Sequence, residues 1–242
     1  MHGLPSPSLD PLRQLKEAHL RAIIPDDVFD LVVERFSIVL EGINRIEKAS
    51  RIRFPVAYVE PSMVVTTADP NIGYGILYAR TIPVPANSSF GIIIQITAPL
   101  IAYGLKGTIH AVLAHEFLHY LELVWRVSNM RITSDHISAS LFENAYSDES
   151  RLFDPRAVFD DRTLISHITK RFPAGFRDRR LEDKVTKYWQ SRQLPKSSVT
   201  IDSNNVKIAA KSLATARFEP DLIQAIGRIS ERNSKLRRKR LY

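Results

Sequence analysis

Val112-Leu113-Ala114-His115-Glu116-Phe117-Leu118-His119-Tyr120-Leu121 is the stretch on which the reading of this chain turns. It lies inside a longer run, Thr108 to Val127, whose only polar side chains after the threonine are His110, His115, Glu116, His119, Tyr120, Glu122 and Arg126. Gly104 and Gly107 break the chain just ahead of it, and a helix so apolar on most sides has to be buried. Histidines at i and i+4 lie one above the other on one helical face, so both imidazoles can ligate one ion. Glu116, beside the first, can then reach a water on that ion. The competing reading makes all three ordinary core polar groups. Burying three ionisable side chains without a use for them is costly, which weighs towards a metal.

Outward from this helix, the upstream region is β-branched and aromatic, punctuated by Pro and Gly: FPVAYVE (54–60), MVVTT (63–67), GYGILYARTI (73–82) and FGIIIQIT (90–97), the last after the loop PVPANSS. These runs predict one small sheet of three or four strands. Further upstream, Asp10-Pro11 has helix-start chemistry, with Leu12, Leu15, His19 and Leu20 following up to Pro25. Asp26-Asp27 then opens a second helix, on which Val28, Leu31, Val32, Phe36, Val39, Leu40, Ile43 and Ile46 form an apolar stripe of helical period. Downstream, Ser134 suits the N-cap of a helix running to about Phe153. Helical patterns follow near 160–171, 177–192, 204–217 and 220–235.

The expected fold class is therefore α+β: a small mixed sheet packed on the buried helix, with flanking N-terminal helices and a mostly helical, basic C-terminal region. We expect the first unit to span 1–153 and the second 154–242. Composition supports a globular protein, since 44% of the 242 residues are hydrophobic and 25% charged. With no Cys, thiolate catalysis, disulfides and Cys-type zinc fingers are excluded, so a metal would have to sit on His and carboxylates. The N-terminal MHGLPSPSLDPL has neither a basic leader nor an apolar signal core, and the run from Phe90 to Tyr103 is interrupted by Gln95 and Pro99. No membrane span and a cytoplasmic location are the expectation.

HExxH at 115–119 is the signature of the zincin metallopeptidases, and roughly residues 54–153 resemble their catalytic core in the order sheet, apolar strand, short loop, HExxH helix, further helix. The resemblance implies a peptidase in which His115 and His119 hold Zn²⁺ with a position left open to water. Glu116 then accepts that water's proton and passes it to the leaving amine of a peptide or protein substrate. It also implies that the strand from Phe90 to Thr97 is an edge onto which extended substrate adds. The metzincin branch would have Gly at 122 and His at 125, where this chain has Glu122 and Trp125. The gluzincin branch remains. Its third ligand is a Glu on a downstream helix, in a pattern similar to N-E-x-x-S-D, and the matching segment is Glu143-Asn144-Ala145-Tyr146-Ser147-Asp148 with the first pair transposed. One residue is about a 100° rotation on a helix, so Glu143 is expected to ligate in a shifted geometry. Asp148 or Glu149 in its place, or no third ligand at all, are the alternatives. Tyr146 and His167 are candidate oxyanion donors, His110 is expected to be structural, and Glu122 supporting or structural.

Charge is distributed unevenly. Residues 1–150 carry 12 Lys/Arg against 16 Asp/Glu, whereas 151–242 carry 22 against 10. Lys170-Arg171, Arg177 to Arg180 and Lys235-Leu236-Arg237-Arg238-Lys239-Arg240 concentrate the cations. A nucleic acid, ribosome or other polyanion is the partner such clusters suit, and an inactive zincin-like protein that binds one is the alternative function. Phe172, Phe176, Tyr188 and Trp189 could stack on bases, although their spacing suits a core better.

Overall fold

The computed structural model describes residues 10–67, 74–86, 89–129, 153–173, 175–176, 178–200 and 216–240. The architecture is α+β, and a single buried cluster runs through it, from Leu15 and Val28 to Trp189 and Ile229. Residues on both sides of 153/154 therefore share one core. Among the described residues, no helix is long and apolar enough to cross a membrane.

Helices α1 (Arg13–Leu20) and α2 (Asp26–Ser50) form the N-terminal layer. Asp26 and Asp27 place negative charge at the positive end of α2, and Val28, Val32, Phe36, Val39 and Ile46 bury its stripe. The chain leaves α2 through Arg51 in the left-handed region (φ 59°). Gly42 lets α2 lie close on the HExxH helix, because a Cβ there would fall 2.8 Å from His110 Cδ2 and from Leu113 Cδ1.

Among the described residues the strand-forming runs make two three-stranded mixed sheets rather than one. In the first, β5 (Ser89–Thr97) is central, parallel to β1 (Ala57–Glu60) and antiparallel to β4 (Ala79–Ala86). In the second, β2 (Met63–Thr67) is central, antiparallel to β3 (Tyr74–Leu77) and parallel to β6 (Lys196–Thr200). The stretch read as one strand, 73–82, breaks at Tyr78 into a strand for each sheet. Its continuation PVPA, read as loop, is strand.

Register explains why the two prolines are tolerated. The N–H of Ile94 donates to the Val56 carbonyl on the β1 side, so Thr81, opposite Ile94, turns its own backbone groups away from β5. Pro83 and Pro85 share that parity, and the N–H they lack would have pointed out of the sheet. They also blunt β4 as an edge. The run from Phe90 to Thr97, anticipated as the edge, is the centre of its sheet because β1 arrives on its other side.

From β5 the chain passes through α3 (Ala98–Tyr103) into α4 (Lys106–Ser128), the HExxH helix. Arg35 of α2 secures the corner by donating from Nε to the Ile101 carbonyl (2.7 Å) and from Nη2 to that of Gly104. Fifteen residues of α4 are buried, Leu113 and Phe117 completely, which makes it the axis of the molecule. Each such side chain contributes about 1.5–3 kcal/mol of burial. Around it pack α2, the first sheet, α6 (Arg162–Arg171) and α8 (Pro220–Arg240), with the short α5 (Pro155–Val158) beside α8. Helix α7 (Arg179–Val185) continues as a π-helical turn, Thr186–Gln190, that buries Trp189, whose Nε1–H donates to the Pro195 carbonyl at 2.9 Å. The helices anticipated at 134–153 and 204–217 lie outside the described residues, apart from Phe153, which is buried, and 216–217, which are not helical.

Candidate metal centre

The middle of α4 lies between β4 on one side and the end of α6 on the other. Its i, i+4 spacing brings His115 Nε2 and His119 Nε2 to 3.1 Å, with the rings nearly perpendicular at 84°. Two nitrogens on one tetrahedral zinc, each at its usual bond length, stand about 3.3 Å apart, so the pair fits two corners of that ion's shell. His115 is held from behind by Phe172, just past α6, whose ring stacks on it at 3.8 Å between centroids and 8° between planes. Phe176 and Tyr78 extend this aromatic wall, at 5.3 and 5.1 Å.

Glu116 turns towards the sheet. The Thr81 hydroxyl of β4 lies 2.9 Å from Glu116 Oε2 and 2.9 Å from the Glu116 backbone carbonyl, and donates to this pair of oxygens. Sheet and helix are thus joined at Glu116. The Thr81 backbone adds a second hydrogen-bonding contribution that favours the ionised Glu116 carboxylate.

Burial controls the electrostatics. Desolvation raises the Glu116 carboxyl to about 7, only partly opposed by the Thr81 hydrogen bond. Desolvation lowers His119 to about 4, with a smaller push from the Arg126 charge, and holds His115 well below its ordinary value, His119 adding to the effect. Both imidazoles are consequently neutral at neutral pH, the state in which they ligate a metal. Tyr120 is pushed up to about 12, chiefly by burial.

The other candidates fall into place around this centre. His110, on another face of α4, faces α2: its Nε2–H donates to the Ile38 carbonyl at 3.2 Å, and its Nδ1 accepts from Arg45 Nη1 at 3.5 Å. Arg45 in turn makes a two-pronged pair with Asp161, the N-cap of α6. Glu122 pairs with Arg126 at 2.6 Å, one turn further along α4. His167 packs over Gly107, in the first turn of α4 and eight residues before His115, so it is not an oxyanion donor from this position. Among the described residues no group of three His, Asp or Glu side chains could hold a metal. Glu143, with the alternatives Asp148 and Glu149 and also Asn144 and Tyr146, lies outside the described residues.

Two contributions are invisible in the linear motif. Thr81 lies 35 residues before its partner, and only the strand–helix packing brings them together. Phe172 has cationic neighbours that make it a candidate for stacking on bases, yet its ring lies on His115. Part of the surrounding basic cluster is structural too: Arg171 Nε donates to Thr108 Oγ1 and lies 3.5 Å from Asp178, the N-cap of α7.

Comparison with known proteins finds no matching family model, no significantly similar curated protein and no significantly similar solved structure.

Proposed function

We propose that the protein is a zinc-dependent peptidase of zincin type, related most nearly to the gluzincins, and that α4 is its active-site helix. The observation that carries this reading is the pair of converging Nε2 atoms, 3.1 Å apart, with the buried Glu116 carboxyl beside them. His115 and His119 would hold the ion, with Glu143 or one of the acids after it as third ligand. Zinc, when bound, supplies Lewis acidity towards a peptide carbonyl and an activated water.

The chain's own residues supply the rest. Burial keeps both imidazoles unprotonated, so no proton has to leave before they ligate. Glu116, with a carboxyl near 7, is matched to taking up and releasing a proton at neutral pH. Thr81 donates to Oε2 and so holds the orientation of the carboxyl. The β4 edge offers outward carbonyls at Thr81, Pro83 and Pro85 but no N–H at either proline, so an extended substrate pairing there would donate more hydrogen bonds than it accepts.

The test is zinc content and peptide hydrolysis on protein purified without a histidine tag. About one zinc per chain is expected in the wild type and in Glu116→Gln, and none in His115→Ala. Hydrolysis should be lost in both variants. Failure to take up zinc, or hydrolysis that survives Glu116→Gln, overturns the reading. A second reading, a non-catalytic polyanion-binding protein on the same scaffold, is favoured by the exposed cations of α8. It predicts binding that persists without zinc and no hydrolysis at all.

A further inference from the structure

Helix α8 divides cleanly into two faces. Ile226, Ile229 and Asn233 are buried, Leu222 and Leu236 pack beside them, and Asn233 Oδ1 accepts the Asp154 backbone N–H at 2.8 Å. Arg228, Arg232 and Lys235, spaced i, i+4, i+7, fall on the side turned away from that seam, and all three are exposed, as is Arg238 one turn further on. From 228 to 240 the chain carries seven Lys/Arg and one Glu.

Two structural explanations do not account for Arg228, Arg232 and Lys235. Helix-dipole complementarity acts within the last turn, which takes in Arg238 but leaves out Lys235, Arg232 and Arg228, the last standing twelve residues, about 18 Å, before Arg240. Ion pairing fails because Arg228, Arg232, Lys235 and Arg238 have no carboxylate within 4.0 Å among the described residues. Among the described residues these four cations thus have no carboxylate partner, and keeping like charges together costs stability.

We propose that the exposed face of α8 binds the phosphate backbone of duplex DNA without reading its sequence. Arginine predominates, five of the seven cations, and its planar fork suits phosphate oxygens. An α-helix matches the width of the B-form major groove, whereas the deep, narrow major groove of A-form RNA does not admit one. No Phe, Tyr or Trp occurs in α8, so it offers no platform for stacking single-stranded bases. Its buried apolar residues are committed to the core, which removes the face that an interfacial helix would insert into a bilayer. This site is independent of the zinc reading.

The experiment is fluorescence-anisotropy titration of the full-length protein with a 20-base-pair duplex at 50 to 200 mM salt, with and without a chelator. Four phosphate contacts predict a log–log salt slope of about −3.6, an affinity loss of about 150-fold across that range. Arg228→Gln/Arg232→Gln/Lys235→Gln/Arg238→Gln should weaken binding at 50 mM by at least about 100-fold and bring the slope above about −1. Because the four side chains are exposed, its circular dichroism and thermal transition should match wild type. A second duplex of unrelated sequence should bind within about threefold. No binding at 50 mM, equal binding by the quadruple variant, or tighter binding of duplex RNA, single strands or an acidic protein each overturns the proposal.

Discussion

Replacing Glu116 by Gln in chelator-treated protein isolates the electrostatics of the buried motif. The Glu116 carboxyl goes from 4.5 unfolded to about 7 folded. Between those values the folded chain keeps a proton that the unfolded chain releases, so the associated stability is fully present below 4.5 and is lost as pH rises through 7. A shift of that size corresponds to about 3 kcal/mol. His119, lowered from 6.5 to about 4, has the opposite sign: its contribution is present above 6.5 and lost as pH falls towards 4. His115, held well below its ordinary value, acts in the same sense as His119, and both run against Glu116 between pH 4.5 and 6.5, so the wild-type profile alone isolates none of them. The difference between Glu116→Gln and wild type exposes one of them. Urea unfolding at half-unit intervals from pH 4.5 to 8 should show the variant gaining about 3 kcal/mol on wild type, a relative midpoint change of about 1 M at an m-value of about 3 kcal/mol/M. A difference that stays constant within about 1 kcal/mol over this range would refute the burial argument for Glu116.

The same comparison extends to two further sites. Thr81→Val removes the hydroxyl that opposes the desolvation of Glu116, so the pH window over which Glu116→Gln gains on its parent should move upward by about one unit when both carry the Thr81→Val change. An unmoved window would show that the hydroxyl does not reach the carboxylate in solution. Asp161→Ala removes both the N-cap of α6 and the two-pronged partner of Arg45, and should cost about 2–4 kcal/mol in urea unfolding at pH 7. Asp161→Asn, which keeps the cap, should recover about half. A loss under 1 kcal/mol for the alanine variant would show that the Arg45–Asp161 contact does not tie α2 to α6.

Helices whose stripe is complete within the sequence were readable from it. Asp26–Ser50 begins at the acidic pair that suggested it, and the apolar run around His115 becomes the buried α4. The sheets were harder, because a strand's partner is set by distant chain. Sequence periodicity cannot show that β6, within a region of helical character, pairs with β2 more than a hundred residues earlier, or that β1 closes the second side of β5. The strand at PVPA was hidden because two prolines normally argue against one. Only the register, which turns their missing N–H groups outward, shows why the rule does not apply. Similarly, the proximity of His115 and His119 was legible because both are on one helix, whereas Thr81 and Phe172 come from elements that only packing brings to them.

The mutual geometry of the two histidines also bears on why a chain keeps them where they are. Two neutral imidazoles that face each other through Nε2 at 3.1 Å can satisfy both atoms only if one carries its proton there and the other at Nδ1. The pair is then fixed in unlike tautomers, with a protonated Glu116 alongside at any pH below about 7. Apolar side chains of similar volume at 115, 116 and 119 would remove the desolvation of all three groups, a change that often stabilises a core by about 1–4 kcal/mol. As core residues alone, the three are an expensive choice. An ion held by His115 and His119 would let both rings adopt the same tautomer, and its positive charge would favour the ionised Glu116 that burial disfavours. The zinc reading therefore accounts for three separate costs with one ion.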